Sequence, residues 1–458
     1  MPASPDMAYI SPFRALRYDP ARVALPDVVT QPYDKITPEM QDRYYAASPH
    51  NLVRIILGKR EPTDHEGENT YTRAAASFRD WRRQGIFLQD GQPSVYVYHQ
   101  RFAVPGGKGE LERRGFIALG RIEDYSTGVV FRHEQTLAKP KADRLDLLRS
   151  TRAHFGQLFM LYSDPAREIE GLLVPGGDPA IEVRDEYGVS HRIWKVADPT
   201  LIELVRGKMR DKKLIIADGH HRYETAITYR NERQSELAAT APSGVPRPRS
   251  SQEVLVRGGD AEGVPFQLVM MTFVNMDSPG LVILPTHRVV HGLPSFSSGT
   301  LQSGARRYFG VEEVDPSIDA YRANVILREA GHAGMALLAV TGDRALLLDR
   351  PKAGPEMFAG LSLRQQSLDV LQLHKCVLEG VLEISEEAIR NQQNVSYIRD
   401  TGEALARVRS GQANVAFLMN PVRIEQVRDI AFAGEVLPQK STDFYPKLLS
   451  GLTIYALE

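Results

Sequence analysis

Four apolar residues, Leu214-Ile215-Ile216-Ala217, run straight into Asp218-Gly219 and then into His220-His221-Arg222-Tyr223-Glu224. The apolar run reads as a buried strand, and Asp-Gly breaks regular structure. The following residues, to about Arg233, are compatible with a helix, with Ala226, Ile227 and Arg230 on one repeating face. Two imidazoles and a guanidinium therefore fall where a strand hands over to a helix. A helix start offers unbonded N–H groups and the positive end of a dipole, both of which attract anions. A phosphate at this junction would meet backbone donors, Arg222 and a histidine together, with Arg222 facing solvent as a bidentate clamp. The other reading of the run is an acidic turn carrying surface histidines.

The chain around this junction is ordinary for a globular protein: 458 residues, 42% hydrophobic and 25% charged. Its length predicts two to four domains at about 100–200 residues each. Basic and acidic side chains number 56 and 57, for a net charge of −1. That balance gives no support to a broad nucleic-acid or membrane surface. Cys376 is the only cysteine, which rules out an intramolecular disulfide and a cysteine-rich metal cluster, and its Leu/Val-rich surroundings predict a buried apolar role. No apolar run approaches the ~18 residues of a membrane span, and the N-terminus lacks a signal-peptide pattern. A cytoplasmic location is the expectation, with no nucleic-acid partner, no membrane partner and an open oligomeric state.

Thr37-Pro38-Glu39 reads as an N-cap with proline at the first helical position, the helix running to about Ala47. Residues 51–57 look like a strand, and residues 70–84 like an amphipathic helix ending at Gly85. Residues 94–102 and 112–122 read as a hairpin around a glycine-rich loop. Residues 234–264 are poor in bulky apolar side chains and are expected to be a mobile insertion. Residues 336–348 suggest another hairpin, and residues 367–383 a helix. Strands alternate with helices, but many are hairpin-linked, so an α+β fold is favoured over a doubly wound sheet. The expected division is an N-terminal α+β segment over residues 1–105, a core over 106–293 and a separate C-terminal α+β domain over 294–458.

Other stretches carry chemistry. His133-Glu134-Gln135-Thr136 and Lys139-Pro140-Lys141-Ala142-Asp143-Arg144 are dense in acid, base and imidazole. His287-Arg288 repeats the His-Arg pairing at a strand end. The tail holds Lys440-Ser441-Thr442 with Phe444, Tyr445 and Lys447; it lacks the glycines of a phosphate loop and either closes over a substrate or docks the chain end. The turn Gln31-Pro32-Tyr33-Asp34 poses the same choice.

The run Asp218-Gly219-His220-His221-Arg222-Tyr223-Glu224 resembles the signature of the ParB/sulfiredoxin-like superfamily, in which free serine kinases carry an Asp-Gly-x-His-Arg version. Sulfiredoxins place a reactive cysteine where this chain has His220, so their thiolate chemistry is excluded. More broadly, Pro32-Tyr33-Asp34, the His133–Arg144 stretch, the Asp218 turn, Pro285-Thr286-His287-Arg288 and residues 438–447 are similar, in that order, to the bacterial domain-of-unknown-function family numbered one thousand and fifteen, which is related to free serine kinases. The resemblance implies a ParB/sulfiredoxin-like mixed core over the middle of the chain, with the last third outside the kinase analogy.

Combined with the residues, it implies transfer of a phosphoryl group from ATP or ADP, with Mg²⁺, to a small hydroxyl compound, L-serine first. Such a reaction asks the protein mainly for positioning and charge neutralisation. Gly219, His221 and Arg222, with Lys139, Arg144 and Arg288, would bind nucleotide or phosphate; Lys141 is a further candidate. Glu134 is the candidate general base, with Asp218 its competitor or a Mg²⁺ ligand through water, and His220 or His221 would donate to a phosphoryl oxygen. His133, Thr136, His287 and Lys440 are candidate substrate contacts. A metal-dependent hydrolase built on His133, Glu134, His220, His221 and His287 is the first alternative; the extended look of residues 287–291 counts against a helical ligand pair. A non-catalytic nucleotide-binding regulatory protein is the second.

Overall fold

The computed structural model describes residues 8–107, 109–134, 138–240 and 264–457. Contacts divide the chain into two compact units. Unit 1 comprises Met1–Arg132, Thr136–Leu281 and Pro446–Glu458, and unit 2 comprises His133–Gln135 and Val282–Tyr445. The architecture is α+β with mixed pairing of strands.

Unit 1 is organised by a sheet of nine strands among the described residues. In chain order these are β1 (Ile10–Ser11), β2 (Val95–Ala103), β3 (Glu110–Arg121), β4 (Val130–Phe131), β5 (Leu158–Tyr162), β6 (Ile181–Arg184), β7 (Ser190–Val196), β8 (Leu214–Asp218) and β9 (Leu268–Asn275). They lie side by side as β4-β8-β5-β9-β3-β2-β7-β6, with β1 also on β3. β9 runs parallel to β5 and antiparallel to β3, and β8 runs antiparallel to β5 and parallel to β4. The central strands β5 and β9 are buried on both faces, which is why their sequences read as continuous apolar runs rather than alternating ones. The turn between β2 and β3 contains the expected 105/106 division, so residues on both sides of it share one sheet.

Helices cover this sheet. α1 (Pro38–Ala47) starts as its sequence dictates, with Thr37 accepting from Met40 N–H at 3.3 Å. α2 (Thr70–Arg83) buries Phe78 and Trp81 in a cluster with Leu16, Phe87 and Ile454. α3 (Ala138–Thr151) and α4 (Pro199–Met209) precede α5 (His220–Thr240), whose Tyr223 and Ala226 are buried against β8 and its neighbours. The segment expected to be a strand over residues 51–57 is instead the short helix Val53–Ile56. Asn51 Oδ1 accepts from Val53 N–H at 2.9 Å, and Leu52, Ile55 and Ile56 all reach the Phe78 cluster, so local capping and burial override the strand preference of Val and Ile. Residues 234–240, assigned from composition to an insertion, continue α5; residues 241–263 lie outside the described ones.

Unit 2 holds an antiparallel sheet of β10 (His287–Val290), β11 (Gly310–Val314), β12 (Ala336–Thr341), β13 (Ala345–Asp349), β14 (Val395–Ile398) and β15 (Val415–Met419) in the order β11-β13-β12-β15-β10-β14. β12 and β13 form the expected hairpin. One face carries Leu338, Ala416 and Leu418 against the helices α6 (Ala320–His332) and α7 (Thr401–Arg409). The other carries Leu337, Leu346 and Phe417 against residues 368–378. That stretch is not the single α-helix its periodicity predicts: a turn of α-helix, Asp369–Gln372, passes into a π-helix, Leu373–Glu379. Cys376 is buried there, as expected, and burial pushes its thiol up to about 12. No helix among the described residues is long and apolar enough to cross a membrane.

Substituting Asn51→Ala removes the side-chain bonds to Val53 N–H and Asp27 O just before the Val53–Ile56 helix and is expected to lower unfolding free energy by about 1–2 kcal/mol in urea titrations. An unchanged midpoint would show that these bonds are not what fixes this segment as helix.

Candidate functional site

The strand-to-helix junction expected from the sequence forms in unit 1. β8 ends at Asp218 with a register shift between Ile216 and Asp218 against β5, an irregularity that re-aims the terminal side chain. Gly219 has φ +98°, a region that side-chain-bearing residues avoid, and a Cβ there would lie 2.9 Å from Leu158 Cδ2 and 3.0 Å from Arg222 Nη2. α5 then begins at His220, and the backbone N–H of Tyr223 is bonded back to Gly219 O at 2.9 Å. Tyr223 anchors the first turn: its hydroxyl donates to Glu123 O at 2.8 Å and accepts from Glu123 N–H at 2.9 Å.

Asp218 is met by cationic side chains from several elements. Arg222 Nη2 donates to Asp218 Oδ2 at 2.7 Å, and Lys447 Nζ reaches Asp218 Oδ1 at 3.4 Å. Lys35 and His220 also act electrostatically on Asp218, and Asp218 acts on Arg113. Burial by itself would raise the Asp218 carboxyl; Lys447, Arg222, Lys35 and His220 together hold it well below the ordinary carboxylate range. Arg113 is 1% exposed, and burial lowers its guanidinium to about 10, so it remains a cation at neutral pH.

These cations are positioned by main-chain and amide groups. Arg222 Nη1 donates to Gln157 O at 2.5 Å. Arg113 donates to Pro446 O at 2.5 Å and to Gln100 Oε1 at 3.0 Å, while Gln100 Nε2 donates to Lys447 O at 2.9 Å. Gln100 also approaches His191, whose ring bridges the Tyr98 hydroxyl (2.7 Å) and Asp185 (3.2 Å). Burial keeps His191 below its usual pKa despite the Asp185 carboxylate. The chain end is thereby fastened to the β2/β3 hairpin, and Lys447 is held at Asp218.

A small cavity of about 70 Å³ adjoins the cluster, lined by Tyr33, Arg144, Gly156, Arg222 and Ser450 among others. Arg144 stacks on Tyr33 at 4.1 Å from the ring centre and donates to Ile56 O at 2.6 Å, with Asp143 as its ion-pair partner. Tyr33 is acted on by Arg144, Arg222 and Asp218 together, so Arg144 belongs to the same electrostatic neighbourhood as the junction. Lys141 is instead paired with Glu224 at 2.8 Å.

The candidate residues thus fall into two groups. Asp218, Gly219, His220, His221, Arg222 and Arg144 belong to unit 1, and His133, Glu134, His287, Arg288 and Lys440 to unit 2. Arg222 does not face solvent as expected: its side chain is 17% exposed, because Asp218 and the Gln157 carbonyl hold its guanidinium against the junction. In unit 2, Glu134 accepts from the backbone N–H of Lys440, a residue at φ +59°, and His133 Nε2 lies 2.8 Å from Thr442 Oγ1. His287 opens β10 fully buried, hydrogen-bonded to Thr401 Oγ1 at 2.9 Å and Met419 N–H at 3.3 Å; burial takes it down to about 4, so it is a neutral ring bound into the sheet. Arg288 is fully buried beside it. Thr136 lies outside the described residues, as does the side chain of Lys139. Among the described residues, no group of three or more His, Cys, Asp or Glu side chains gathers in a geometry able to hold a metal ion. Residues 287–290 are extended, so His287 and His291 do not form a helical ligand pair.

Sequence reasoning did not assign Lys35, Arg113, Gln157 or Lys447 to this site. Lys35 and Lys447 adjoin the two stretches whose role was left open, the Pro32 turn and the tail. Arg113 carried no signal, since an arginine on an edge-like charged stretch, Arg113-Arg114, reads as solvent-facing.

Residues 10–371 match the family described as Protein of unknown function (DUF1015). No curated protein matches the chain. Among solved structures, the chain is similar to a conserved hypothetical protein from Pyrococcus furiosus at 13% identity and TM-score 0.30, over 69% of this chain and 86% of that one. It is similar to a free serine kinase in complex with AMP at 13% identity and TM-score 0.31, over 69% and 83%. It is also similar to SbnI with C-terminal truncation from Staphylococcus aureus at 11% identity and TM-score 0.32, over 73% and 85%.

Two outcomes are expected of the junction. Gly219→Ala should destabilise unit 1 by about 1–3 kcal/mol, from the backbone conformation and the Leu158 contact together, in thermal or urea unfolding. Asp218→Asn should destabilise by about 2 kcal/mol at pH 7, less than the 3–5 of a fully buried pair because Asp218 is 20% exposed. The folded-state pKa of Asp218 lies below the unfolded value of about 3.9, so its contribution is present above about pH 4 and is lost as pH falls through the folded value. The unfolding curves of wild type and Asp218→Asn should therefore converge below about pH 4; a constant gap down to the acid transition would contradict the charge cluster.

Proposed function

We propose the following for this chain, which belongs to the DUF1015 family of proteins of unknown function: it is a nucleotide-dependent phosphotransferase acting on a small hydroxyl metabolite, with ATP or ADP as donor and L-serine as the first acceptor to test. The observation that carries this reading is the gathering of cations at the start of α5. Arg222, Lys447, Lys35 and Arg113 all act on one carboxylate, Asp218, at a helix N-terminus. Such a place favours an anion with several oxygens, which is what a phosphoryl donor brings.

In this reading Arg222 and Lys447 turn part of their hydrogen bonding from Asp218 to the phosphoryl oxygens, and the helix N-terminus takes the remaining charge. Lys35 and Arg113 act at longer range, and the Gln100 amide keeps Lys447 in register. His220 and His221, in the first turn of α5, are proposed donors to a phosphoryl oxygen, and Arg144 borders the adjoining cavity. A carboxylate held as acidic as Asp218 is a poor proton acceptor, so its proposed role is to orient the cations rather than to act as base. Glu134 belongs to unit 2, where it accepts from the Lys440 N–H, and is given no step at this junction. Mg²⁺ would neutralise charge between phosphate oxygens. Both oxygens of Asp218 are engaged by Arg222 and Lys447, so this carboxylate does not fit as a Mg²⁺ ligand, and the ion would be carried by the phosphate oxygens and water.

Incubation with ATP or ADP, Mg²⁺ and an amino-acid panel, followed by chromatography of nucleotides and phosphorylated products, tests the reading. Arg222→Ala and Lys447→Ala are each expected to reduce kcat/KM by about 100-fold or more, the loss typical of one donor to a developing charge. Wild-type rates in Arg222→Ala would remove the phosphate role of the junction. Nucleotide binding without transfer to any acceptor would support the regulatory reading instead.

A further inference from the structure

Unit 2 contains a cavity of about 300 Å³ beside the π-helix, at the lower end of volumes that hold small molecules. Its walls combine apolar side chains, including Leu361, Leu371, Ile389 and Tyr397, with the polar Gln365, His374 and Gln439 and a set of charged residues. His374 is 6% exposed, and its Nε2 has no hydrogen-bond partner among the described residues. A buried ring nitrogen without a partner is destabilising, an arrangement that proteins keep where another molecule completes it. The side-chain amide of Gln439, half-buried, makes no hydrogen bond among the described residues either; only the residue's main-chain carbonyl accepts, from Arg288.

The backbone points the same way. Residues 373–379 wind as a π-helix, with Gly380 N–H bonded to Lys375 O and Leu382 N–H to Val377 O, five residues back. Such turns are rare and are frequently found at functional sites. Here the wider turn carries His374 at the cavity wall.

The charges that line the cavity are balanced. Lys375 is paired with Glu379 (3.0 Å) and Glu386 (3.3 Å), and Arg390 with Glu386 (3.0 Å). Arg288 lies behind the wall, 5.0 Å from the centre of the Tyr397 ring. Burial, with Arg288 and Lys375 nearby, holds His374 well below its usual pKa, so its ring is neutral. A charged ligand would find no uncompensated counter-charge on the lining, whereas an uncharged one would find an apolar slot, an aromatic ring and two polar groups.

We infer that unit 2 carries a binding site of its own for a small, uncharged, flat heterocycle, hydrogen-bonded by His374 Nε2 and the Gln439 amide and packed against Tyr397. This does not rest on the phosphotransfer reading of unit 1.

The test is isothermal titration of the full chain with adenine, hypoxanthine and nicotinamide as uncharged probes, and AMP and benzoate as charged comparators. Saturable binding of at least one uncharged probe is expected. It should weaken about tenfold or more in His374→Phe, which keeps the ring shape and deletes the nitrogen. Gln439→Leu, on a half-buried loop, should weaken it in the same direction and serves if His374→Phe does not fold. Binding should persist in Arg222→Ala. Failure of all three uncharged probes overturns the inference, as does equal or tighter binding of benzoate, or binding unchanged in both His374→Phe and Gln439→Leu. Binding lost in Arg222→Ala and kept in His374→Phe would place the probe in unit 1 and overturn it equally.

Discussion

One carboxylate surrounded by cations organises unit 1. Asp218 lies where β8, α5 and the chain end meet, and its two oxygens are shared between Arg222 of the helix and Lys447 of the tail. Removing charges from water is costly unless each finds a partner. Arg222 is completed by the Gln157 carbonyl, and Lys447 is held through its own carbonyl by Gln100. The same group that fastens the ends of these elements also brings several cations to a helix N-terminus. Structural closure and affinity for an anion are therefore two consequences of one arrangement.

Unit 2 treats its buried arginine differently. Arg288 donates to Thr286 O at 2.5 Å and approaches Met419 Sδ and Gln439 O at 3.4 Å, with the Tyr397 ring across its face, and Glu134 acts on it only at longer range. Its Nε has no hydrogen-bond partner among the described residues. Burial lowers this guanidinium to about 10 and, with it, the neighbouring His374 further still. The two His-Arg pairs that look alike in sequence are thus unlike in chemistry: one joins a charge cluster at a junction, and the other is built into the interior of a sheet.

The fold class was legible because hairpin-linked apolar runs and capping residues act locally. Thr37-Pro38, the β2/β3 hairpin and the β12/β13 hairpin all follow from their own sequences. The misread segments share one cause. Residues 51–57 have strand composition, but the Asn51 bond to Val53 N–H and the Phe78 cluster make them helical; residues 367–383 have helical periodicity, but part of them winds wider. In both, side-chain packing chose between backbone states that propensity leaves close in energy.

At the candidate site, Asp218-Gly219 and the histidines and arginine behind it were determined by sequence alone, because the break, the positive φ of Gly219 and the helix start lie within a few residues of one another. Tertiary structure alone decided that Arg222 turns onto Asp218, that Lys447 arrives from 229 residues away, and that a buried Arg113 stands behind them. Ion pairs of long sequence separation leave no period or spacing in the chain. They exist only because the sheet brings its hairpin and its last residues to the end of one strand.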